Sequence, residues 1–263
     1  MQIRLFEISR KCLEEKELDT KLRISSQYSA EIIEAELDYT ETVTESIEIG
    51  RPDKPSLVSP SKLSRRGFSS IEQRLALAHA IAHIEFNAIN LAWDAIWRFK
   101  NMPEDYYRDW ASVAADETRH FMALRRYLEQ HGCDYGDYDA HDGLWTMAEK
   151  TSADVLDRMA IVPRVLEARG LDVTPAMIDK CVVNGDSDLA DIFMMIYKEE
   201  IQHVRIGNKW YGNLCRERSL DPLNTFLQLV KTYGVMEKTS TINEEARILA
   251  GFSAVELDAI KNL

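Results

Sequence analysis

A chain of 263 residues and 30.2 kDa is long enough to enclose a site in a full hydrophobic core. Its 44 acidic against 32 basic side chains leave a net charge of −12 and a pI near 5.1, which argues against a broadly basic nucleic-acid surface while leaving room for a local basic groove. Met1 to Lys11 lack the apolar core of a signal peptide, no run approaches the ~18 apolar residues of a membrane span, and Cys12, Cys133, Cys181 and Cys215 form no Cys-x-x-Cys pair. The expectation is a cytoplasmic protein with reduced thiols and no membrane partner.

Residues 1–68 carry no strong pattern and are expected to form an N-terminal arm. Helical periodicity is weak over Leu5–Leu18 and Ser29–Glu36, and the β-branched run Thr40–Ile49 suits a short edge strand or extended chain. Pro52, Pro55 and Pro60 keep the next stretch irregular. Ser69 or Ser70 then caps a helix that runs without Pro or Gly to about Phe99. Its apolar stripe, Ala78, Ala82, Ala92 and Ile96, contains Glu85. A carboxylate there costs several kcal/mol if buried unpaired, so it calls for a cation or a shared proton. His79 and His83, on the adjoining face, read as packed, hydrogen-bonded imidazoles.

Beyond Asn101-Met102-Pro103 a second helix is predicted from Glu104 to Gln130, with Val113, Ala114, Glu117, His120, Phe121, Leu124 and Leu128 facing inward. From Gly132 to Ser152 glycines and aspartates replace periodicity, and Asp137, Asp139, His141 and Asp142 read as an acidic solvated loop. The third helix is expected over Ala153–Ala168, with Gly170 as its cap, Glu167 on its inner stripe and a kink at Pro163. Thr174-Pro175 opens a short helix ending near Asn184-Gly185. Ser187 is expected to cap a fourth long helix reaching Arg218, with Leu189, Phe193, Ile196, Glu200, His203 and Gly207 inward. Leu223–Val235 and Ala254–Leu263, the latter with Ser253 as N-cap, are expected as amphipathic helices of a C-terminal extension over residues 219–263.

Two of these helices carry the same short pattern. Glu117-Thr118-Arg119-His120 recurs as Glu200-Ile201-Gln202-His203, and residues three apart share a helical face, so each carboxylate and imidazole can converge on one ion. With Glu at roughly 7–10% of positions, the six histidines would give about half such a match by chance. Each pair also follows, at nearly the same interval, a glutamate on an apolar face: Glu85 before Glu117, and Glu167 before Glu200. Glu199 competes with Glu200, but only Glu200 has the three-residue spacing to His203. Four carboxylates and two imidazoles from four helices are the donor set of di-iron and di-manganese carboxylate bundles. The predicted fold is therefore all-α, a four-helix bundle over residues 69–218 with one long crossover. The metal ligands are Glu85, Glu117, His120, Glu167, Glu200 and His203, catalytic through the metals they hold. Tyr197, one turn before Glu200, is a candidate relay beside its packing role.

That ligand series is similar to the ferritin-like di-iron carboxylate superfamily over roughly residues 70–215. More narrowly, His79–Glu85, Val162–Asp172 and Asn243–Phe252 resemble a bacterial family of ferritin-like proteins of unknown function, distantly similar to the tRNA isopentenyl-adenosine hydroxylase. Ser240-Thr241-Ile242 departs from a proline-containing form of the last motif. The resemblance implies a di-metal, oxygen-activating site and does not supply the substrate; the expected cofactor is two Fe ions (or Mn, or a mixed Mn/Fe pair, which nitrogen and oxygen ligands do not separate), and the expected partners of such an oxidoreductase or hydroxylase are dioxygen, a reductase and a small-molecule or modified-nucleoside substrate. Nucleic acid is disfavoured by the net charge, and the oligomeric state is open. The alternatives are a ferroxidase that handles iron and a metal-stabilised structural or partner-binding bundle.

Overall fold

A computed structural model describes residues 2–40, 47–235 and 242–262. The protein is all-α, and the chain divides into two compact units, Met1–Trp145 and Thr146–Leu263.

The first unit is built on a helical hairpin. α3 (Ile71–Arg98) and α4 (Glu104–Gln130) pack along each other, joined by a link too short for anything but an antiparallel return. Of the two candidate serines, Ser70 is the cap, its hydroxyl accepting from the Gln73 amide. Of all the described helices, only α3 is long and apolar enough to cross a membrane, yet 78% of its apolar window is buried inside the protein; it is a core helix.

Against this hairpin lie α1 (Leu5–Glu14), which packs on α3, and α2 (Leu18–Glu34), which packs on α4. Here the sequence expectation needs correction. The helix predicted over Leu5–Leu18 stops at Glu14, and the one predicted from Ser29 begins at Leu18, where Glu17 accepts from the Asp19 and Thr20 amides. The reason is chemical: the buried face of α2 includes Lys21, Ser25 and Ser29, spaced one turn apart but polar, so no apolar period marks the helix. The burial is tolerated because each group is bonded. Lys21 donates to the carbonyls of Cys12 and Leu13 and to Asn90 Oδ1, and burial lowers its pKa to about 7. Ser25 accepts from Trp93 Nε1 at 2.8 Å and shares a hydrogen bond with Thr118. A short parallel pair, β1 (Gln2–Arg4) with β2 (Glu36–Asp38), was not legible either. Most of the strand predicted over Thr40–Ile49 falls on residues 41–46, outside the described residues. The proline-rich stretch is irregular apart from a 3₁₀ turn at Pro60–Lys62, and the end of the interrupted connection forms α5 (Gly143–Lys150), at which the two units divide.

In the second unit α6 (Val155–Ile161), a π-helical turn (Val162–Glu167) and α7 (Ala168–Val183) form one continuous helical path packed on α8 (Ser187–Glu217). The expected kink at Pro163 takes the form of that π-turn. Gly207 on α8 faces it: a Cβ there would sit 2.4 Å from Pro163 Cβ, so the two elements approach closely only because residue 207 is glycine. Two expected boundaries do not exist. Gly170 is inside α7 rather than a cap, outside the positive-φ glycines. Pro175 does not start a helix, because the Leu171 carbonyl, left without its intrahelical donor by the proline, accepts from Asn243 Nδ2 at 3.1 Å. Nor is Ser187 the cap of α8: Asp186 holds the Leu189 amide.

α9 (Pro222–Tyr233), α10 (Glu244–Leu249) and α11 (Ala254–Lys261) complete the unit, α11 starting in a capping box between Ser253 and Glu256. Ala168, Leu171, Val204, Ala246, Ala250, Phe252 and Leu257 form one hydrophobic cluster of its core. The α7–α10 junction also holds a buried bidentate pair, Arg247 to Asp172 at 2.9 and 2.6 Å, with side chains 4% and 1% exposed. Replacing Arg247 by Ala strands the buried Asp172 carboxylate, and a loss of about 3–5 kcal/mol in denaturant unfolding is expected. Gly207→Ala is expected to cost about 1–3 kcal/mol by pressing on a rigid proline ring.

Candidate metal centre

Glu85 on α3 and Glu117 and His120 on α4 meet in the interior of the first unit. All three are buried, and their ligand atoms lie within 4.8 Å of one another. His120 Nδ1 stands 3.3 Å from Glu117 Oε2 and 3.4 Å from Glu85 Oε2, so both carboxylates face one imidazole nitrogen. The i, i+3 spacing aligns Glu117 with His120 on α4, and hairpin packing brings Glu85 opposite. The buried Glu85 Oε2 has no hydrogen-bond partner.

Burial, followed by the charge of Glu117, raises the Glu85 pKa well above the ordinary 4.5. Two carboxylates sharing a desolvated site favour either a bound proton or a cation. On the same two helices, the buried rings of Phe86 and Phe121 lie 6.1 Å apart, and Tyr135 meets Phe121 edge to face at 4.9 Å between ring centroids.

In the second unit, Glu200 and His203 occupy successive turns of α8, with Glu200 Oε1 3.5 Å from His203 Nδ1. His203 is buried and Glu200 partly so, and Glu200 Oε2 has no hydrogen-bond partner. Glu167, partly buried, is the last residue of the π-turn. π-turns interrupt α-helices chiefly where function requires a displaced side chain. The Tyr197 hydroxyl accepts from Asn243 Nδ2 at 2.9 Å, and its ring packs against the α7–α10 core.

His79 and His83 are packed, neutral imidazoles. His79 Nε2 accepts from the Gly136 amide and His83 Nδ1 bonds the Tyr135 hydroxyl, both at 2.8 Å. Burial lowers their pKa values to about 4 and about 3. Asp142 of the acidic link pairs with Arg51 at 2.8 Å.

Sequence reasoning missed the groups that tie the π-turn and α7 to the C-terminal helices. Arg164, within the π-turn, bonds Glu256 at 2.6 Å and lies 4.2, 4.5 and 5.0 Å from the ring centres of Tyr211, Phe226 and Phe252. Asn243 bonds Leu171, Asp172 and Tyr197. Their signal was present: Arg164, Asp172, Asn243 and Arg247 all belong to the motifs that carried the resemblance, as structural ties rather than ligands.

Fold and cluster thus define an all-α protein with a buried carboxylate–histidine group that could hold a metal ion. The chain belongs to the family described as "Protein of unknown function (DUF455)", which matches residues 14–258. It is 44% identical over 230 residues to an uncharacterised protein of Haemophilus influenzae, covering 85% of this chain and 80% of that one. No solved structure matches.

The raised Glu85 pKa fixes a sign for stability. A carboxyl that binds its proton more tightly when folded favours the fold below its unfolded pKa, near 4.5, and loses that contribution as pH rises through the folded value. Metal-free Glu85→Gln should therefore melt above the metal-free parent at pH 8, the gap shrinking toward pH 5. Thermal unfolding of both chains across that range checks it, and a variant no more stable at pH 8 would mean that Glu85 is compensated within the protein.

Proposed function

We propose that the two half-sites, Glu85–Glu117–His120 and Glu167–Glu200–His203, are halves of one di-metal carboxylate centre in a ferritin-like four-helix bundle formed by α3, α4, the α6–α7 path and α8. On this reading residues 1–68 are a helical arm and residues 219–263 an extension packed on the bundle. The observation that carries it is the buried trio of the first unit: two carboxylates and an imidazole whose ligand atoms lie within 4.8 Å of one another. Nitrogen and oxygen donors suit iron or manganese equally, and iron is the working assignment.

Such a centre, when loaded and reduced, supplies activation of dioxygen for the oxidation of an organic substrate. The chain's own residues have definite tasks. The four glutamates would hold two divalent ions and balance their charge, offsetting the desolvation, and then the Glu117 charge, that raise the Glu85 pKa. His120 and His203 would add imidazole nitrogen donors. Phe121, and Phe193 and Ile196 on the face of α8 that carries Glu200, exclude water. We assign the protein as an oxidoreductase of hydroxylase or oxidase type, acting in the cytoplasm on a small molecule or modified nucleoside and drawing electrons from a reductase. Tyr197 is a positioning group through Asn243 and a candidate relay.

Anaerobic reconstitution with ferrous iron tests the reading. Two ions per chain, dioxygen uptake on exposure to air, and loss of both in Glu117→Gln/His120→Ala are expected. Fewer than about one tightly bound ion with the six ligands intact would remove the centre. A closed multi-subunit shell that mineralises iron would turn the assignment to iron handling.

A further inference from the structure

The connection that follows α4 sends one aromatic ring back against the α3–α4 hairpin. Tyr135, 8% exposed, packs on Phe121 and Phe86, its ring centroid 4.9 and 5.6 Å from theirs, and stacks on His79 at 5.3 Å. His79 in turn meets Tyr138, which is partly exposed, at 5.4 Å. Phe86 and Phe121 directly follow Glu85 and His120 in the chain. A run of ring contacts thus leads from residues adjoining the buried carboxylate–histidine group, through Tyr135, to Tyr138.

The polar end of Tyr135 is as specific. Its hydroxyl lies 2.8 Å from His83 Nδ1, and the phenol, the stronger acid of the two, is the donor. Beyond satisfying the imidazole, this bond sets a phenolic proton directly on a base. One-electron oxidation of a buried phenol needs that arrangement, because an oxidised ring that kept its proton would be an unpaired buried cation. The charge passed to the imidazole meets an acidic loop. Asp134, Asp137 and Asp139 favour a cation at the adjoining His79, and Arg51, which opposes one at His83, is paired with Asp142.

We infer that Tyr135 is a redox-active residue, passing single electrons between the partly exposed Tyr138 and the inner end of the ring run. Tyr135 gives up one electron while its phenolic proton crosses to His83 Nδ1, leaving a neutral tyrosyl radical and an imidazolium. An electron from an external one-electron reductant, entering through Tyr138, restores the phenol as the imidazolium returns the proton. The acceptor of the first electron is the one-electron oxidant that dioxygen activation supplies, so this role rests on the proposed metal centre; the oxidation of the Tyr135–His83 pair itself does not.

The test uses the metal-free full chain: flash-generated tris(bipyridine)ruthenium(III) takes the electron, and rapid freezing traps the product for electron paramagnetic resonance. A tyrosyl signal is expected that, after transfer into deuterium oxide, couples to the deuteron now on His83. This is read in the parent and depends on no variant folding. Tyr135→Phe should abolish that component and leave only signals from exposed tyrosines. His83→Phe, which retains the phenol, should abolish it too, and Tyr138→Phe, which leaves the pair intact, should slow its appearance. A parent without a deuteron-coupled tyrosyl signal, a signal that persists at parent yield in Tyr135→Phe or His83→Phe, or an unslowed one in Tyr138→Phe would overturn the assignment. Two bound ions per chain without the radical would keep the metal centre and remove the relay. The radical in a chain that binds no metal would keep the redox pair and remove the centre.

Discussion

Glu85 and Glu117 sit out of reach of water on facing helices with an imidazole between them, and much of the first unit is arranged to keep them there. Left to itself, such a pair is unfavourable: desolvation penalises each charge and proximity penalises the second. What offsets this is the long apolar contact of α3 with α4, anchored at their ends by caps and turns. Both helices run close to eight turns, so the residues that carry the cluster lie mid-helix, where fraying does not reach.

The layer outside that hairpin solves a different problem. α2 covers α4 with a face that includes a buried lysine and two buried serines, and each finds a partner in Cys12, Leu13, Asn90, Trp93, Thr118 or the carbonyl one turn earlier. Directional bonds of this kind specify register where apolar packing alone would allow sliding.

In the second unit the irregular piece is the π-turn that ends at Glu167. It is held from three directions: Pro163 against Gly207, Arg164 against Glu256 and three aromatic rings, and α7 against α10 through Asp172, Arg247 and Asn243. A π-turn costs helix regularity and persists where its surroundings over-determine it. That is a physical reason for the elaborate C-terminal helices, which pack where this turn and α7 need support.

Periodicity and spacing in the sequence were enough for the all-α class, for α3 and α4 nearly to the residue, for the long span of α8, and for the alignment of Glu117 with His120 and of Glu200 with His203, because these depend on one helix at a time. The cap of α11 at Ser253 was legible for the same reason. Tertiary structure decided what depends on partners far along the chain. It showed α2 to be helical from Leu18, its buried polar face bonded to residues as distant as Asn90 and Thr118. It ran α7 through Gly170 and Pro175, because Asn243 takes the carbonyl the proline frees. It also brought Glu85 against His120, where burial beside Glu117 lifts its pKa. Local rules rank a polar stripe, a glycine and a proline as breaks in a helix; a bonded partner from elsewhere in the chain reverses that ranking, and no window of neighbouring residues contains it.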